Sequence, residues 1–286
     1  MKVIDLSGDM LSVYTENHFD LEKWKHYMDR SLPGAKELCL ADMRATIDAG
    51  YSWEKNSLPV LDAVAQNPGK REKTIASFRR VAENLDDRIR ARFGRTVDAD
   101  LVLYLGLCNG AGWVTPVNGK TAVLLGLEKI MELDWVQPEA MTGLIFHELG
   151  HVYQEQYGVL RRELSSLPDQ LLWQLFTEGV AMVFEQELAG DPGHFHQYNA
   201  DWKRWCDSHA ELILQSFRDD LPGMTHENQR YFGDWVRFHG HGDTGYYLGA
   251  RFVRFLLHDN SFDRIIRYGI REVRDGFDRF SCHALP

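Results

Sequence analysis

With 286 residues, 44 % of them apolar and 26 % charged, the chain can bury a large core and solvate its surface, which excludes a disordered or fibrous polymer. A formal charge of −10 argues against nucleic acid as a partner, because affinity for phosphates comes from Lys and Arg. Four scattered cysteines, Cys39, Cys108, Cys206 and Cys282, form no CxxC pair and fit reduced thiols in a cytoplasmic protein.

The first residues, MKVIDLSGDMLSVYTENHF, contain no apolar run of signal-peptide type, since Asp5, Asp9 and Glu16 interrupt it. Residues 1–95 are expected to form an N-terminal helical scaffold, with helices near 21–30 and 35–49 and one amphipathic helix over 71–93. In that last stretch Ile75, Phe78, Val81, Leu85 and Ile89 recur at three and four, opposite Arg79, Arg80, Asp86 and Asp87.

Residues 96–286 are expected to make a second region that packs against this scaffold as one unit. It opens with ADLVLYLGLC, a short apolar run of strand type, followed by GWVTPVNGKTAVLLGLEKI, two strand-like runs joined at Asn118 and Gly119. A hairpin directly before the next helix follows. An exposed strand edge binds an extended peptide through main-chain hydrogen bonds, and either 113–117 or 121–125 is a candidate for that edge. The longest uncharged run, 101–119, is broken by glycines, a proline and asparagines, so no membrane span is expected there.

The next stretch, MTGLIFHELGHVYQEQYG, starts its helix near Pro138 and Glu139 and ends it at Gly158. Within HELGH, His147 and His151 are four apart and stand one turn above each other on one face, the spacing that suits a single Zn²⁺. Glu148 is swung about 100° round the helix and reads as a general base toward a water on the metal. Met141, Ile145, Leu149 and Val152 form a separate apolar stripe, so the histidines do not interrupt a core face.

A hydrolytic zinc takes three protein ligands, and the helix DQLLWQLFTEGVAMVFEQELAG should supply the third. Its start is marked by Ser165 or Ser166 and Pro168, its end by Gly190. Glu178 lies among apolar and small residues, where an unpaired carboxylate would be costly to bury, and is the chosen ligand. Glu185 is on nearly the same face but about 10 Å further along, so only one of the two can reach a given ion. Glu185 and Glu187 are expected to face solvent, and His194 and His196 stand as rival ligands. Beyond them, 202–217 and 251–273 each read as an amphipathic helix, with Phe252, Phe255, Leu256, Ile265 and Ile266 facing inward. The order of elements predicts an α+β fold, mostly helical, with a small mixed β-sheet and hairpin before the HExxH helix.

HELGH followed by TEGVA resembles the gluzincin branch of the zincin metallopeptidases, in which HExxH and a glutamate on a later helix hold one zinc. With the later GYYLGARFV, the ensemble over residues 102–252 most resembles the family of predicted Zn-dependent proteases of DUF2268 type. The gap of 26 residues between His151 and Glu178 is longer than in the best-known gluzincins. The resemblance implies a zincin-like fold and a zinc metallopeptidase acting on a peptide or small protein substrate, with His147, His151 and Glu178 on the metal and Glu148 as base. It also implies an oxyanion donor, because gluzincin aminopeptidases place a tyrosine in a YxxG context that Tyr246 and Gly249 match. Tyr247 and His241 are alternatives, and both tyrosines could instead pack with Leu248, Phe252 and Phe255 in a core helix. Where those aminopeptidases carry GAMEN this chain has GAGWV, residues 110–114, so the amine anchor is missing. Two other readings stay open: a zinc-binding regulatory protein without hydrolysis, and a zinc hydrolase of a non-peptide amide.

Overall fold

Apolar residues at 100–104 and 120–126 build the middle of a four-stranded sheet in a computed structural model that describes residues 1–196, 200–233 and 235–283. The strands are β1 (Lys2–Asp5), β4 (Asp100–Tyr104), β5 (Gly112–Val117) and β6 (Lys120–Gly126), in the spatial order β1, β4, β6, β5. β4 pairs parallel with both β1 and β6, with Val102 opposite Ile4 and Leu124, while β5 runs antiparallel to β6. Leu101, Val102, Leu103, Val123, Leu124 and Leu125 are fully buried, the continuous apolar pattern of a sheet covered on both faces. β2 (Tyr14–Thr15) and β3 (His18–Phe19) form a separate two-stranded hairpin. The fold is α+β and mostly helical, as the order of elements predicts.

The chain divides into two compact units, Met1–Glu148 and Leu149–Pro286. The first holds the sheet with α1 (Leu21–Ser31), α2 (Lys36–Asp48), α3 (Leu58–Gln66), α4 (Pro68–Val81), α5 (Leu85–Phe93) and α6 (Leu127–Glu132). The helix expected over 71–93 is therefore two helices. Asn84 takes a left-handed conformation at φ 60°, which Asn tolerates better than most side chains and which a continuous helix cannot contain. Phe78, Val81, Leu85 and Ile89 are nonetheless all buried, so the apolar face continues across the break. The N-terminal stretch is also less purely helical than its texture implies, because β1 pairs with β4 inside the sheet.

The hairpin turn falls at Asn118 and Gly119, with φ of 51° and 76°, the positive pair that a two-residue turn between right-twisted strands demands. The hairpin is not directly followed by the HExxH helix: LEKIME becomes α6. Glu128 on that helix is 1 % exposed and accepts bonds from the backbone N–H groups of Gly106 (2.8 Å) and Cys108 (3.1 Å), clamping the loop that leaves β4.

α7 (Pro138–Tyr157) is one unbroken helix in which the division between the units falls. The second unit continues with α8 (Leu167–Ala189), α9 (Ala200–Ser208), α10 (Ala210–Asp220), α11 (Thr244–Leu256), α12 (Phe262–Ile265) and α13 (Ile270–His283). Ser166 caps α8 by accepting from the Asp169 N–H, and Gly190 ends it at φ 73°. Asp169 in turn holds Arg274 of α13 through paired guanidinium–carboxylate bonds. The stretches 202–217 and 251–273 are each broken rather than continuous. The first turns at His209, and the second stops after α11 and restarts at Ser261, whose side chain caps α12. Phe252, Leu256, Ile265 and Ile266 face the interior as expected, and Phe255 is half-buried. Among the described residues no helix is long and apolar enough to cross a membrane.

Burial raises the Glu128 carboxyl to about 7 from its ordinary 4.5, against the opposing pull of the two backbone N–H groups. The folded protein thus keeps a proton on Glu128 across an interval in which the unfolded chain has lost it. Stability is expected to fall as pH rises from about 4.5 to about 7, by roughly 3 kcal/mol from this group, and to level off above that. Urea unfolding of Glu128→Gln and the parent protein at several pH values checks this. The difference between the two should shift across that window, and parallel profiles would refute it.

Candidate metal centre

α7 and α8 are buried on almost every side. Met141, Ile145, Leu149 and Val152 of α7 are 0 % exposed, and α8 is buried nearly throughout from Leu171 to Gln186. A polar side chain on such a helix cannot turn to water, so each must find a partner in the interior. Among them are His147, Glu148 and His151 on α7 and Glu178 and Glu185 on α8.

His147, His151 and Glu178 come together as expected, with one potential ligand atom from each lying within 4.8 Å of the other two. His151 Nε2 stands 3.4 Å from Glu178 Oε2. That separation is long for a hydrogen bond, which clusters at about 2.7–3.2 Å. It matches the edge of a zinc tetrahedron, roughly 3.4 Å for ligands about 2.0–2.1 Å from the ion. The donor set and spacing therefore fit a metal ion.

Glu148 is 7 % exposed and packs against the start of β5: a Cβ on Gly112 would lie 2.7 Å from both Cγ and Oε1 of Glu148. Glycine at that position leaves room for the glutamate. β5 is the edge of the sheet and β6 is internal, so of the two candidate edges the structure selects 113–117. Pro116, exposed on that strand, lacks the N–H needed for a further ladder bond.

Glu185 does not face solvent. It is 0 % exposed and is approached by His196 Nδ1 at 2.8 Å, His194 Nε2 at 3.2 Å and the His196 backbone N–H at 3.2 Å. The Glu185 carboxylate raises His194 above the usual imidazole range. Glu185 and His196 form a second group with His147, again with their ligand atoms within 4.8 Å of one another. Glu187 is half-buried and takes Arg254 Nη1 at 2.6 Å. Composition alone hides this arrangement, but one signal for it is in the sequence. Seven residues separate Glu178 from Glu185, which keeps them on one helix face, and the histidines of HFH follow just past the helix end.

Of the three candidate oxyanion donors, two are committed elsewhere. Tyr247 is 2 % exposed, donates to Asp207 (3.0 Å), accepts from Arg251 (3.0 Å), and is pushed by burial up to about 12. His241 stacks on Trp205 with ring centroids 3.8 Å apart, and burial lowers its proton affinity. Tyr246 is half-buried, with the edge of its ring against Phe232. It lies one turn from the point where α11 meets α8 most closely. There a Cβ on Gly179 would come within 2.2 Å of the Gly249 carbonyl oxygen. Gly179 is the neighbour of Glu178, so this glycine pair fixes the distance between the helix bearing Tyr246 and the helix bearing the carboxylate.

Comparisons with protein-family models, with curated proteins and with solved structures find no match.

Gly179→Ala forces α8 and α11 apart beside Glu178. It is expected to lower stability by about 1–3 kcal/mol, the usual cost of overpacking. Chemical denaturation measures this directly, and an unchanged midpoint would mean that the contact is not tight.

Proposed function

We infer that the protein is a metal-dependent hydrolase. More narrowly, we read it as a zinc peptidase of gluzincin type, with His147, His151 and Glu178 as ligands of one Zn²⁺ and Glu148 as general base. The observation that carries this reading is the 3.4 Å separation of His151 Nε2 and Glu178 Oε2, with His147 in reach of both. The separation suits two atoms sharing an ion better than two atoms sharing a proton.

Bound zinc would supply an acidified, oriented water and a Lewis acid for the substrate carbonyl. The chain's own groups do the rest. Glu148, beside the first ligand, removes the proton from the water and returns it to the leaving amine, a role that contributes about 10²–10⁴ in rate. Its low exposure holds the carboxylate in a poorly hydrated site, where a proton transfer is not diverted to bulk water. Tyr246 donates a hydrogen bond to the oxygen that gains charge as the carbonyl becomes tetrahedral.

Substrate placement follows from β5. An extended peptide added along this edge would use main-chain hydrogen bonds, which are indifferent to side-chain identity, and would run past Gly112 and hence past Glu148. A peptide or small protein segment in extended form is the substrate class that this edge fits.

Metal analysis of protein purified without added zinc should find one equivalent, which His151→Ala loses. Glu148→Gln should keep the metal while turnover of a mixed peptide library falls by about 10²–10⁴. Cleavage by Glu148→Gln at the parental rate, or cleavage indifferent to a chelator, would overturn the assignment.

A further inference from the structure

α11 presents one stripe of side chains, Tyr247, Ala250, Arg251, Arg254 and Phe255, spaced at three and four, to a pocket of about 390 Å³. Phe195 of the loop after α8, Lys203 and Asp207 of α9 and Phe280 of α13 also line it, all within the second unit. None of the lining residues belongs to the group of His147, His151 and Glu178. The small Ala250 in the middle of the stripe leaves space that a larger side chain would fill. The volume falls near the lower end of the range of small-molecule sites, about 300–1,000 Å³, and so suits a compact ligand.

The charges in this pocket do not cancel. Asp207 is the one acid among the described residues that line it, against Lys203, Arg251 and Arg254. Arg254 is spent on α8: its Nη1 meets Glu187 Oε1 at 2.6 Å, and its Nε and Nη2 meet the Gln186 side-chain oxygen at 3.1 and 3.0 Å. Asp207 takes Lys203 Nζ at 2.6 Å on one oxygen and the Tyr247 hydroxyl at 3.0 Å on the other. Arg251 is left with a neutral partner. Its Nη1 donates to the Tyr247 hydroxyl at 3.0 Å, and no carboxylate among the described residues pairs with it. One positive charge thus stands uncompensated at the pocket of a chain whose net charge is −10. A guanidinium carries five donors in a planar fork that matches the two oxygens of a carboxylate, and the phenol occupies only part of it.

Around this charge the lining is aromatic. Phe195 lies 5.9 Å from Tyr247 and Phe255 lies 5.5 Å from Phe280, centroid to centroid. Phe255, expected to face inward, is half-buried and borders this space. A bare inorganic anion would gain nothing from these rings, and an uncharged aromatic compound would gain nothing from Arg251. A ligand that uses both carries one carboxylate and an apolar body.

We propose that this pocket binds a small monocarboxylate with an aromatic or branched aliphatic body, its carboxylate on Arg251 and its apolar part among Phe195, Phe255 and Phe280. The site goes beyond the metal reading and does not depend on it.

Calorimetric titration of the full chain with 3-phenylpropionate and with its uncharged amide tests this. Because a carboxylate also binds zinc, each titration is run on the protein as purified and again after treatment with a chelator. The acid should bind saturably at one equivalent in both conditions, and the amide at least about tenfold more weakly. Arg251→Gln should weaken the acid by a similar factor and leave the amide unchanged. Arg251 is exposed, so the variant is expected to fold, which thermal unfolding checks; if it does not, the contrast of acid and amide in the parent decides. Binding that disappears with the chelator would place the carboxylate on the metal and overturn the proposal. Equal binding of acid and amide, an unchanged affinity in Arg251→Gln, or no saturation below about 10 mM would do the same. So would inorganic phosphate that competes with equal affinity, since the rings would then contribute nothing.

Discussion

The structure depends on how it accommodates acids that have been taken out of water. A carboxylate inside a protein must be protonated, surrounded by donors or joined to a cation, and this chain arranges a different answer for each of three glutamates. Glu128 stays protonated to an unusually high pH while two backbone N–H groups hold it. Glu185 is enclosed by imidazoles and an amide. Glu178 stands beside His151 at a spacing that leaves room for an ion. The last two both lie on α8, which is buried nearly throughout from Leu171 to Gln186, and Glu185 there is fully enclosed.

Glycine at 179 and 249 lets two helix backbones touch next to Glu178, and glycine at 112 opens the space that Glu148 fills. The positive backbone angles at Asn118 and Gly119 do comparable work for the sheet. They turn β5 back on β6 and leave it as the edge beside the glutamate.

Much of this was legible in the residues, and the failures have physical causes. HELGH, the apolar stripe of α7, Glu178 among small residues and the hairpin at Asn118–Gly119 are local patterns, and each has its expected counterpart in the structure. What misled was partnership at a distance. Glu185 reads as a surface acid because its partners lie on a loop past the helix end, and periodicity along one helix says nothing of them. Asn84 and His209 break helices whose apolar faces continue across the break, so the spacing alone could not place the interruption. Tyr246 and Tyr247 are adjacent and chemically identical. The structure tells them apart by surroundings: Tyr247 is buried and bonded to Asp207 and Arg251, whereas Tyr246 is half-buried beside Phe232.

The parallel pairing of β1 with β4 has a consequence for how the first unit is made. Lys2–Asp5 can join the sheet only beside Asp100–Tyr104, so a chain synthesised from its N-terminus carries that strand unmatched while five helices emerge. Closing so long a loop is entropically unfavourable and kinetically slow, so the sheet is expected to form late and to depend on helices that condense first. Lys2 is exposed on this edge strand, and a charge there discourages a stray strand from docking in its partner's place.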